Sequence, residues 1–119
     1  MILEMTKEQI KPGVTVLRMK GSIHSGPDCR RVEREVEDLV QAKQVNLIFD
    51  LTGLTHIDSS AIGSIVKCLT TCKRANGDMR IAGATGMLEG TLRLTKVDKV
   101  IGIFPTAADA AADFPKQAV

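Results

Sequence analysis

The chain switches between short apolar runs and apolar stripes at helical spacing. Residues 14–19, VTVLRM, are β-branched or apolar at most positions and follow Lys11-Pro12-Gly13, a turn signal, so they predict a strand. The leading Ile-Leu-Glu-Met segment is expected to pair with it as a hairpin. Residues 21–27, GSIHSGP, read as a loop. Over residues 28–42 a helix would place Cys29, Val32, Val36, Leu39 and Val40 on one face. Arg30, Arg31, Arg34, Glu35, Glu37 and Asp38 then fall on the opposite, solvated face. Residues 45–51 are almost continuously apolar, as in a central strand covered on both sides. After a polar knot, His56-Ile57-Asp58-Ser59-Ser60, a second helical stripe begins with Ala61, Ile62, Ile65, Val66 and Leu69. Asn76-Gly77 stops that helix with residues that tolerate the left-handed conformation. Residues 79–82 form a short strand, and residues 86–96 a helix anchored by Leu88 and Leu92. Residues 100–104 form a last strand, and Pro105-Thr106 opens an Ala-rich helix stopped by Pro115.

The order β-β-α-β-α-β-α-β-α predicts an α/β fold: a mixed, largely parallel sheet flanked by helices, with an antiparallel first hairpin. In such folds, ligand and partner sites collect at the carboxyl ends of strands. The polar knot lies at such an end.

Composition narrows the picture. A chain of 119 residues suits one domain, expected over 1–119. With three Phe and no Trp or Tyr, the core must be aliphatic. A net charge of +2 and the lack of stacking aromatics argue against direct nucleic-acid binding. No apolar run approaches the ~20 residues of a membrane span, so no membrane insertion is expected. The N-terminal stretch carries acids early and lacks the basic start of a signal peptide. Three cysteines, an odd number, then read as reduced thiols of a cytoplasmic protein.

The knot admits several chemistries. Asp58, Ser59 and Ser60 are all good helix caps, and capping is the simplest reading of the junction alone. A hydrolase would need Ser59 as nucleophile, His56 as base and Asp58 as orienter. Three near-adjacent residues rarely form that relay, and no G-x-S-x-G elbow is present. Cys68 and Cys72, four apart on one helix, could share a metal with His24 or His56. The absence of a second pair at zinc spacing favours buried thiols and no metal or other cofactor. A regulatory reading also fits, because a serine opening a helix is open to a kinase and its phosphate would face free amides and the positive dipole end.

The stretch NLIFDLTGLTHIDSSAIG resembles the signature of the STAS domain family, named for sulfate transporters and anti-sigma-factor antagonists. The family pattern is a buried strand followed by Asp-Ser-Ser/Thr-Gly-Leu-Gly leading into a helix; here it reads Asp58-Ser59-Ser60-Ala61-Ile62-Gly63. Length and element order match as well. The resemblance implies a stand-alone anti-sigma-factor antagonist without enzymatic activity. Such a module binds an anti-sigma factor that is itself a serine kinase, is released on phosphorylation, and is reset by a phosphatase. Carried over by position, Ser59 is the phosphoacceptor, Asp58 its acidic neighbour and Ser60 the supporting hydroxyl and cap. Where the family usually has Gly-Glu-Leu/Ile-Asp after the second strand, this chain has Gly21-Ser22-Ile23-His24. Ser22 and His24 thus join the expected partner surface without its acids. That departure motivates an alternative: a STAS scaffold or ligand-sensing subunit of a stressosome-like or lipid-transport complex. The transient contacts implied for such modules suit a monomer or a weak dimer.

Overall fold

In the computed structural model, which describes residues 2–115, a sheet of five strands runs in the order β1-β2-β3-β4-β5. The strands are β1 (Glu4–Lys11), β2 (Val14–Ile23), β3 (Asn46–Ile57), β4 (Asp78–Ala82) and β5 (Gly102–Phe104). β1 is antiparallel to β2; every other pairing is parallel. The helices are α1 (Pro27–Gln41), α2 (Ser59–Arg74), α3 (Gly86–Leu94) and α4 (Ala107–Ala111). A short 3-10 turn, Val97–Lys99, follows α3. The expected α/β order and mixed sheet are therefore present.

Strand order follows chain order, so each crossover steps one strand in the same direction. Crossovers of one hand then leave α1, α2 and α3 on the same face. Their apolar stripes meet the inward residues of the sheet in one continuous core, with Val36, Leu47, Phe49, Cys72 and Leu92 among its fully buried members. α4 covers the other face, where Ala110, Ala111 and Phe114 pack on Val14, Val16, Ile48 and Ala82. Arg80, only 7% exposed, ties α4 down. Its guanidinium lies 4.4 Å from the Phe114 ring centroid and 5.2 Å from that of Phe104. It also donates to the Ala110 carbonyl at 2.8 Å and to Asp113.

Several boundaries differ from the sequence pattern. The expected loop 21–27 is shorter, because Gly21, Ser22 and Ile23 belong to β2 and pair with Leu54, His56 and Ile57 of β3. Parallel pairing to a long neighbour outweighs the local turn signal of Gly21 and Ser22. For the same reason β3 runs past residue 51 to Ile57. Gly21 keeps a positive φ of 99°, and a Cβ there would lie 2.3 Å from the Ile2 carbonyl oxygen. The glycine therefore lets the N-terminal segment cross the strand. Val66, expected inside, is partly exposed, while Cys68 and Cys72 take the buried positions of α2. The last strand begins at Gly102, not at residue 100, because residues 97–99 are wound into the 3-10 turn.

Candidate functional site

β2 and β3 end side by side, and each leads into a helix. Three residues, His24, Ser25 and Gly26, separate β2 from α1; Asp58 alone separates β3 from α2. Ile23 still pairs with Ile57, and the Asp58 amide donates to the Ile23 carbonyl at 3.3 Å. The carboxyl ends of both strands and the amino ends of both helices thus form one surface.

Asp58 organises it. With extended backbone (φ −97°, ψ 177°) it is the cap of α2. Its Oδ1 accepts from the Ala61 amide at 3.1 Å and its Oδ2 from the Ser25 amide at 2.8 Å. One carboxylate therefore closes the helix and fastens the β2–α1 loop to it. Desolvation works against the charge, but the amides of Ser25, Ala61 and Ser60, with a smaller contribution from His24, outweigh it and hold the carboxyl below its ordinary pKa. Of the three cap candidates it is Asp58, and not Ser60 as the resemblance implied, that caps the helix, and Ser59 and Ser60 are left exposed on the first turn of α2. Gly63, one turn after Ser59, is exposed too. A Cβ at Gly63 would touch nothing within 4 Å.

The other expected site residues separate by depth. His24 reaches the surface, with its amide donating to Asp28 Oδ2 at 3.1 Å. Ser22, expected on the partner surface, is only 5% exposed. Its place inside the β2–β3 ladder buries it and takes it off the expected partner surface. Asp58 spends both oxygens on backbone amides, which leaves His56 without the orienting carboxylate a hydrolase relay needs. Cys68 and Cys72 are buried; burial pushes both thiols up, Cys72 to about 12, so they pack as small apolar groups. Among the described residues, no cluster of three or more His, Cys, Asp or Glu side chains could hold a metal.

Sequence reasoning missed two contributors. Ser25 is recognisable only once β2 and β3 are paired, since it lies 33 residues from the carboxylate it binds. Met87 comes from α3 and is 86% exposed. With Leu88 and Thr91 it faces Thr55, His56 and Ile57 across a shallow groove of about 190 Å³. An exposed methionine leaves no periodic signal that sets it apart from a core residue.

A family model of the STAS domain matches residues 6–110. The chain belongs to the STAS domain family. No curated protein matches it. Among solved structures, a candidate anti-sigma factor antagonist of Thermotoga maritima superposes with a TM-score of 0.83 at 20% identity, over 92% of each chain. An anti-sigma factor antagonist of Mycobacterium paratuberculosis gives 0.80 at 19% identity, over 93% of this chain and 92% of that one. The phosphorylated form of the Bacillus cell fate determinant SpoIIAA gives 0.71 at 12% identity, over 92% and 97%. These likenesses establish the shared fold. Among the described residues, no helix is long and apolar enough to cross a membrane.

Proposed function

We propose that this protein is an anti-sigma-factor antagonist: a cytoplasmic binding module, without turnover of its own, that is switched by phosphorylation of Ser59. The observation that carries the reading is the division of labour at the start of α2. Asp58 does the capping, which leaves the Ser59 hydroxyl exposed beside a surface fixed by both strand ends. A kinase can reach that hydroxyl without unfolding anything. A fold neighbour known in a phosphorylated form supports the same reading.

The unmodified surface, Asp58, Ser59, Ser60 and His24 with Met87 beside them, binds an anti-sigma factor that is a serine kinase. Phosphorylation adds about 1.5–2 negative charges where the partner docks, and the complex separates through desolvation and repulsion. A phosphatase restores the first state. Because the phosphate would lie at the amide-rich, positive end of α2, the domain stays folded in both states.

A pull-down with wild type, Ser59→Ala and Ser59→Asp proteins, followed by ATP addition and mass-spectrometric mapping, tests this. Wild type and Ser59→Ala should capture the kinase, and Ser59→Asp should capture much less. Phosphate should appear on Ser59. Phosphate on another residue, or equal capture by all three proteins, would overturn the assignment.

A further inference from the structure

The chain contains two histidines, and the fold brings both to the switch surface. His24 follows β2 and His56 is the next-to-last residue of β3. Both are exposed, with ring centroids 5.6 Å apart and ring planes inclined by 37°. Paired β-strand ends, not sequence proximity, make this neighbourhood.

Most charged groups around the pair are already committed. From α1, Asp28 accepts from the His24 amide, and Arg31 donates to the Leu3 carbonyl at 2.9 Å. Arg30, on the next residue position, is an exposed cation of the same helix. At the head of α2, Asp58 is bound to the Ser25 and Ala61 amides. The next charge along α2, Lys67, is paired with Glu33 at 2.8 Å. From α3, the groove beside His56 is lined by the uncharged Met87, Leu88 and Thr91, while Glu89 pairs with Arg93 at 3.7 Å. Among the described residues no salt bridge joins either imidazole to a carboxylate, although His24 acts electrostatically on the Asp58 carboxyl beside it.

We propose that His24 and His56 form a receiving pair for the phosphate carried on Ser59, so that phosphate and protons bind cooperatively at this surface. The proposal rests on the phosphoacceptor reading of Ser59. Imidazole titrates near pH 6.5 and phosphoserine gives up its second proton near pH 6, so both charges change in the same range. A dianion beside the pair favours imidazolium, and imidazolium favours the dianion; by linkage the two effects are reciprocal. Acidification from about pH 8 toward pH 6.5 would therefore strengthen the local pairing of the phosphate. The missing acid at position 24, in the β2–α1 loop, takes on a meaning here, since a carboxylate there would repel the phosphate that a histidine accepts.

The test installs phosphoserine at position 59 during translation, with intact mass confirming it, so that no kinase is needed. The two histidine Cε1–H resonances and the phosphorus resonance are followed against pH. Relative to the unmodified protein, both histidine midpoints should move up by at least about half a pH unit. In a His24→Gln, His56→Gln double variant, the phosphate midpoint should lie above that of the phosphorylated wild type. Unmoved histidine midpoints and a phosphate midpoint indifferent to the double variant would overturn the pairing. Neither result depends on whether a kinase selects Ser59, which the phosphate mapping decides separately.

Discussion

At the scale of single residues, Asp58 joins stability to function. Its two oxygens hold the first turn of α2 and the loop that carries His24. Asp58→Ala should lower stability by about 1 kcal/mol or more through loss of the cap. It should also loosen the loop, visible as faster exchange of the Ser25 amide. Asp58→Asn keeps one capping oxygen but turns an NH2 toward the other amide, so it removes the charge together with one acceptor. Because the folded carboxyl is held below its ordinary value, its ionised form stabilises the fold above about pH 4, and that contribution disappears as pH falls through the folded midpoint. The stability gap between wild type and Asp58→Asn should accordingly close on acidification; a constant gap from pH 7 to pH 3 would contradict the assignment. The sequence showed that one of Asp58, Ser59 and Ser60 caps the helix. It could not show which, because all three are good cap types, and the second bond of Asp58, from Ser25, comes from the loop after a neighbouring strand.

At the scale of elements, α2 and the turn that follows it hold two glycines with opposite meanings. Gly77, just after the helix, has no room for a side chain: a Cβ would lie 1.9 Å from the Val45 carbonyl oxygen. Asn76 takes the left-handed conformation at φ 65°, so the Asn76-Gly77 stop expected from the sequence is present. Gly77→Ala should destabilise by more than about 1 kcal/mol, because chain must shift around it. Gly63 is open, and Gly63→Ala should stabilise α2 by roughly 0.5–1 kcal/mol. On the proposed partner surface the same methyl should weaken kinase binding, since Gly63 lies on the face of Ser59 and Ser60. Thermal melts followed by circular dichroism measure the first effect, and titration with the partner measures the second. Element type was legible wherever periodicity was strong, as in α1 and α2. Strand length was not, because the extensions of β2 through Ser22 and β3 through Ile57 depend on each other.

At the scale of the molecule, the two faces of the sheet do different work. One face carries α1, α2 and α3 over the main core, with the switch surface at its rim. The other is closed by α4, a helix of five residues too short to hold itself. Arg80 compensates through hydrogen bonds to Ala110 and Asp113 and through contact with two phenylalanine rings. Arg80→Met should cost on the order of 2–3 kcal/mol and expose α4 to protease, leaving the switch surface intact. Equal denaturation midpoints for the two proteins would contradict that account. The Ala-rich helix was legible in the sequence. Its anchor was not, since an arginine in a short apolar strand gives no sign of the face it serves.

The most direct test of the central claim is the affinity of the captured kinase for the unmodified protein and for the same protein carrying phosphoserine at position 59, measured by calorimetry at one salt concentration. At least a tenfold loss, about 1.4 kcal/mol, is the predicted result. Equal affinities would contradict a switch at Ser59.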